Sequence, residues 1–224
     1  MKPGNSPSTK VWDLPTRLWH WSLASLFVFL IVSAELGGQL MRYHILSGCL
    51  LSGLIIFRVI WGFGGGHHAR FSYFVRTPKV VLKYLQGVIQ GKPSAYLGHN
   101  PAGAIMVLVL ILTLSVQTIS GLVTTDDILW SGPLYRWAND NIAELGGAIH
   151  NTMGIALKAL VALHILAVLV HQYYLKEPIV GAMLHGYKPL SNTNKPEADK
   201  HYLTLGFALS LSGLWVAWLW SMPL

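Results

Sequence analysis

The chain has 224 residues, 53% of them hydrophobic and 11% charged, whereas a soluble domain carries charge at nearer one residue in four. That excludes an ordinary water-soluble globule and predicts an integral membrane protein whose core is helix against helix in lipid. The net charge of +7 does not imply a nucleic-acid partner, because the basic residues fall into segments that share one side of the membrane.

Five apolar stretches approach or exceed the ~20 residues that span a bilayer. They lie near 18–37, 44–63, 102–123, 147–175 and 202–222. The expected fold is therefore all-α: a four-helix transmembrane bundle over residues 18–184 plus a fifth transmembrane helix at the C-terminal side. Residues 1–17 form a polar N-terminal segment with no small-residue cleavage site after the first apolar run. The first span is expected to remain as an anchor. Asp13-Leu14-Pro15-Thr16 reads as a helix start, with Asp capping free amides and Pro tolerated in the first turn. His20 follows between Trp19 and Trp21, and tryptophan favours the interface. Alone, His20 reads either as a ligand or as an interfacial polar group.

Gly37-Gly38-Gln39 leads into the second span, where His44 stands near the start and Gly48 one turn later. His150 and Gly154 repeat that spacing in the fourth span. A glycine beside a ligating histidine leaves room for a flat porphyrin; the alternative is that small residues simply let helices approach. Arg58 is 14 positions beyond His44 and so lies on the same face at the other membrane surface. It reads as a partner for a cofactor carboxylate or as a snorkelling side chain. The single cysteine, Cys49, excludes an internal disulfide, covalent haem attachment through CxxCH and a cysteine-ligated iron–sulfur cluster.

Residues 64–100 form the longest loop. Val80, Val81, Tyr84, Leu85 and Val88 make one apolar face, which predicts an interfacial amphipathic helix at about 78–90 after Thr77-Pro78. His67, His68 and His99 in this loop read as metal ligands or, more readily, as residues of a solvated interfacial loop. The third span has no histidine; its Thr113, Ser115, Gln117, Thr118 and Ser120 read as interhelical support. The loop 124–146 is acidic and aromatic, suiting either a docking surface or an interfacial cap.

The fourth span carries His150 and His164, 14 positions apart. They share a face to within about 40° and stand about 21 Å apart along the axis. His171 lies nearly on that face too, but it is about 31 Å from His150, the whole hydrocarbon thickness, so His164 is the better ligand. Lys158 is about 80° off this face and reads as a partner for a propionate, a carboxylate or a quinone. Residues 185–201 form a polar linker with two prolines. The fifth span has no intramembrane histidine.

Lys2, Lys10, Arg17, Arg70, Arg76, Lys79, Lys83, Lys92, Lys176, Lys188, Lys195 and Lys200 all belong to one side. The other side holds Glu35, Asp126, Asp127, Asp140 and Glu144 against Arg42 and Arg136. Basic loops stay cytoplasmic. The expected location is the bacterial inner membrane, with the N-terminus cytoplasmic and the C-terminus periplasmic.

Alternating spans put His44 and His150 at the outer level, and His20 and His164 at the inner level. Two such pairs each suit one haem b in a bundle. Bis-imidazole iron is six-coordinate and favours electron transfer.

The segments VWDLPTRLWHW, YHILSG, FRVIWGF, HHARFSYFV, YLGHNPAG and ALHILAVLVH resemble the bacterial cytochrome b561 family, including hydrogenase-type cytochrome b subunits. The resemblance covers about residues 11–188. It implies a four-helix core with two non-covalent haems b that exchanges electrons with quinone. The family's axial positions match His20, His44, His150 and His164, the expected iron ligands. Arg58 and Arg17 are the accompanying candidate cofactor-binding residues. The fifth helix departs from the shorter members and leaves the partner and any homo-oligomer open.

The leading expectation is a membrane cytochrome carrying electrons between the quinone pool and a periplasmic redox partner, such as a c-type cytochrome or a hydrogenase-like subunit. Arg58, Lys158, His68 and His171 are the candidates for a quinone site. The alternatives are a superoxide oxidase passing electrons to quinone, and a non-redox haem-binding or transport protein. Five acidic against two basic residues on the outer side argue against steering a superoxide anion there.

Overall fold

The computed structural model describes residues 8–92, 94–189 and 201–223. Residues 1–7 of the expected N-terminal segment and 190–200 of the expected linker lie outside the described residues. Five helices are long and apolar enough to cross a bilayer: α1 Leu14–Leu36, α2 Leu40–Gly64, α5 Pro101–Val123, α6 Asp140–Leu169 and α8 Tyr202–Trp220. Between them stand α3 Phe71–Phe74, α4 Pro78–Ile89 and α7 Ile179–His185. Strand β1 Ser8–Lys10 pairs antiparallel with β2 Tyr187–Pro189.

Caps fix where the spans begin. Asp13 Oδ1 accepts the Thr16 amide at 2.7 Å and starts α1. Asn100 Oδ1 accepts the Gly103 amide at 2.7 Å and starts α5, with Pro101 in the first turn. Asn139 does the same for α6 through Ile142 at 2.9 Å. That cap sets the start of α6 at Asp140, seven residues ahead of the apolar run at Gly147. At its other end α6 runs on through a π-helical segment, Val170–Tyr174.

Asp13 also joins two helices, because its Oδ2 accepts Trp61 Nε1–H at 3.2 Å. A lost N-cap costs about 0.5–2 kcal/mol, and the hydrogen bond adds about 1 kcal/mol. Asp13→Ala should therefore lower the thermal midpoint in detergent, and Asp13→Asn should recover most of the loss. Equal midpoints for all three chains would count against this role.

The start of α1 thus meets the end of α2. The start of α5 meets the end of α6 through Asn100 and His171. With the strand pair, these contacts define one end of the bundle, the basic end. The acidic end carries the α1–α2 turn and loop 124–139. Midway between the ends, Leu30, Leu51, Ile55, Leu114 and Leu157 from α1, α2, α5 and α6 form a shared core. In lipid such a core holds by close packing rather than by exclusion from water.

The fifth span packs along α2. A Cβ on Gly53 would lie 2.5 Å from Val216 Cγ2, so the absent side chain lets α8 approach. Trp215 Nε1–H donates to Ser52 Oγ at 2.8 Å, and Trp220 Nε1–H to the Leu46 carbonyl at 3.0 Å. Trp137 stacks on Trp218 at 5.7 Å, tying the acidic-end loop to α8.

Candidate functional site

At the acidic end a cavity of about 730 Å³ opens between α1, α2, α5 and α6, within the range of cofactor pockets. His44 and His150 face each other across it, with ring centres 6.2 Å apart and planes at 87°. Two metal–nitrogen bonds of about 2 Å plus about 1.1 Å from each nitrogen to its ring centre add to about 6 Å. The pair therefore stands at the separation that one shared metal requires.

The hydrogen bonds favour the same use. His44 Nδ1 lies 3.0 Å from the Leu30 carbonyl and 3.2 Å from Ser33 Oγ. His150 Nδ1 lies 2.9 Å from the Gln117 carbonyl. A carbonyl can only accept, so each Nδ1 carries the proton and each Nε2 keeps its lone pair. Ligating histidines are fixed in this way by their neighbours. The Gln117 amide lies 3.2 Å from His150 Nε2 and must turn aside for that nitrogen to bind iron, while its Oε1 is buried without a partner. Gln117 and Ser33 thus have a role that the sequence alone did not assign. For Gln117 the polar-residue signal was visible, but not its target.

Gly48 and Gly154 both line the cavity. The turn 124–133 closes it towards the acidic side. There Asp126 Oδ1 accepts the amides of Trp130, Leu129 and Ile128 at 2.8, 2.9 and 3.0 Å. These donors hold its carboxyl below the usual carboxylate range. Lys158 also reaches the cavity, where its Nζ pairs with Glu35 Oε1 at 2.7 Å.

At the basic end His20 and His164 come close enough that a positive charge on one opposes a charge on the other. His20 packs edge-on against Trp21 at 5.1 Å, and its Nδ1 is buried with no hydrogen-bond partner. Arg58 is 2% exposed and sits among three rings, 5.6 Å from Trp19, 5.1 Å from Phe71 and 6.0 Å from Phe74. It is not a snorkelling side chain. Arg17 donates from Nη1 to the Leu184 carbonyl, and its Nε is buried and unbonded.

The remaining candidates lie apart from the paired rings. His171 Nδ1 pairs with Glu177 Oε2 at 3.3 Å. His68 packs against His67 and Tyr73, at 5.2 and 5.1 Å. No cluster of three or more metal-ligating side chains exists among the described residues. His99 corrects an expectation, since it does not sit in solvated loop. Its ring lies between Trp12 at 4.7 Å and Phe74 at 4.6 Å, because β1 and α7 fold over the loop that bears it. Burial, then the charges of Arg58, Lys188, His68 and His20, push it down to about 3.

A family model described as prokaryotic cytochrome b561 matches residues 11–186. The chain is 24% identical over 212 residues to the probable Ni/Fe-hydrogenase B-type cytochrome subunit of Bradyrhizobium diazoefficiens, covering 80% of this chain and 85% of that protein. The protein of the same name in Rhizobium leguminosarum is 26% identical over 211 residues, with 80% and 88% covered. That in Cupriavidus necator is 24% identical over 217 residues, with 81% and 87% covered. No solved structure gives a significant match.

Proposed function

Because this chain belongs to the prokaryotic cytochrome b561 family, whose cofactor is haem b, we propose that it is a membrane di-haem cytochrome linking the quinone pool to a periplasmic redox partner. His44 and His150 would hold one haem, and His20 and His164 the other. When bound, each haem supplies a one-electron carrier whose potential the surrounding protein tunes. The chain's own part is to fix the imidazoles, to satisfy the haem carboxylates through Arg58 and Arg17, and to keep water from the iron.

The facing rings of His44 and His150, each with Nδ1 on a backbone carbonyl, carry this reading. The second pair rests on the 14-residue spacing that puts His164 on the face of α6 bearing His150, and on His20 standing early in α1 at the same end of the bundle. The basic end would face the cytoplasm by the positive-inside rule. The relatives' names point to a partner of the Ni/Fe-hydrogenase kind, which would dock at the acidic end beside the His44–His150 cavity. Asp126 in the turn closing that cavity disfavours superoxide as the substrate there.

The purified chain in detergent should bind about two haems b, with bis-histidine spectra in reduced-minus-oxidised difference measurements. Added quinol should reduce them. A protein that folds without haem, or haems that quinol leaves oxidised, would overturn the proposal.

A further inference from the structure

The basic end gathers buried polar nitrogens that lack hydrogen-bond partners. Arg58 Nη1, Arg70 Nε, Arg17 Nε and His99 Nδ1 are all shielded from solvent and unbonded. Buried polar groups normally find partners, and an unpaired buried cation is costly. Arg58 has no ion-pair partner among the described residues. The acidic group whose charge it feels is Asp13. Both oxygens of Asp13 already accept, one from the Thr16 amide and the other from Trp61.

Arg58 and His99 meet around one ring. Phe74 lies 6.0 Å from the Arg58 guanidinium and 4.6 Å from the His99 ring. The charge of Arg58 bears on His99, and so does that of His20. Cations and polar nitrogens thus converge beside His20, and no carboxylate among the described residues forms an ion pair with them.

We propose that Arg58 and His99 together form a carboxylate site for the haem held by His20 and His164, with Arg58 binding through Nη1 and His99 through Nδ1–H. This rests on the two-haem reading above. The two residues divide the work. Arg58 brings the charge. His99 stays neutral at physiological pH and brings a directed donor, held in place by Trp12 and Phe74. Its position on the loop before α5 couples that loop to the haem.

The test uses the full-length, haem-loaded chain in detergent. His99→Phe keeps the ring packing and removes the donor; His99→Asn keeps a donor. Both are made alone and in a His150→Ala background, which isolates the His20–His164 haem. Optical redox titration gives each midpoint, and haem per chain is counted alongside. His99→Phe should shift the midpoint of the His20–His164 haem to lower potential, because its carboxylate is less compensated, and should leave the other haem unmoved. His99→Asn should recover most of the shift. Reconstitution with haem dimethyl ester should abolish the difference between the unaltered chain and His99→Phe. Unchanged midpoints in a His99→Phe chain that holds both haems would overturn the carboxylate site alone. A shift confined to the other haem, or a shift that survives esterification, would do the same. Absence of a second haem from the unaltered chain would overturn this site and the two-haem reading together.

Discussion

His150→Ala is expected to lose one of the two haems and keep the other. The variant removes one of two imidazoles 6.2 Å apart and also removes the donor to the Gln117 carbonyl. His44 alone would leave the iron short of a strong ligand in a cavity that offers no other imidazole. The fold should survive, because the shared core, whose Leu30, Leu51, Leu114 and Leu157 form the apolar floor of that cavity, does not involve the ring. The sharper form of the result concerns pairs. His44→Ala and His150→Ala should leave the same residual spectrum. His20→Ala and His164→Ala should leave the other. The double variant His150→Ala/His164→Ala should lose both, since α6 supplies one ring at each level. Pyridine haemochrome counts with difference spectra decide the matter, and residual spectra grouped in any other way would show that the pairing is wrong.

Gly121→Val should produce the His150→Ala spectrum without touching a ligand. A Cβ on Gly121 would stand 2.6 Å from His150 Cε1 and 2.8 Å from its Nδ1. Real contacts are never that short, so the ring must swing away and its bond to the Gln117 carbonyl must break. Loss of such a supporting contact typically costs 10–100-fold in metal affinity, so the haem at this level should dissociate at least ~10-fold more readily. Gly206 provides the contrast, on α8 and outside the cavity. A Cβ there meets nothing within 4 Å, so Gly206→Ala should keep both haems. Haem transfer to an excess of a haem-scavenging protein reads both variants. Equal retention by Gly121→Val and the unaltered chain would show that this glycine is not what seats the ring.

Helical period and alternating direction suffice to put His44 level with His150, and His20 level with His164, because depth and face follow from counting along one helix at a time. What counting misses is how helices are rotated against each other. Gln117 reads as generic polar support until α5 is turned so that its carbonyl meets His150. Glu35 and Lys158 are 123 positions apart, and only the approach of α1 to α6 makes them an ion pair. His99 reads as loop because its cover comes from distant sequence: Trp12 lies just after β1, and β1 pairs with β2. Those strands are three residues each, too short to leave a pattern. The early start of α6 follows from Asn139, a cap that sits in polar sequence well ahead of the apolar run.

The pairing of Ser8–Lys10 with Tyr187–Pro189 has a consequence for biosynthesis. It joins the stretch before the first span to the stretch after the fourth, so the histidine-bearing helices form a closed circuit and α8 lies outside it. Closing this circuit requires no residue of the last span, and domains generally fold as units. Cofactor capture need not wait for the final helix, which can then dock along α2 as a late addition to an already loaded unit.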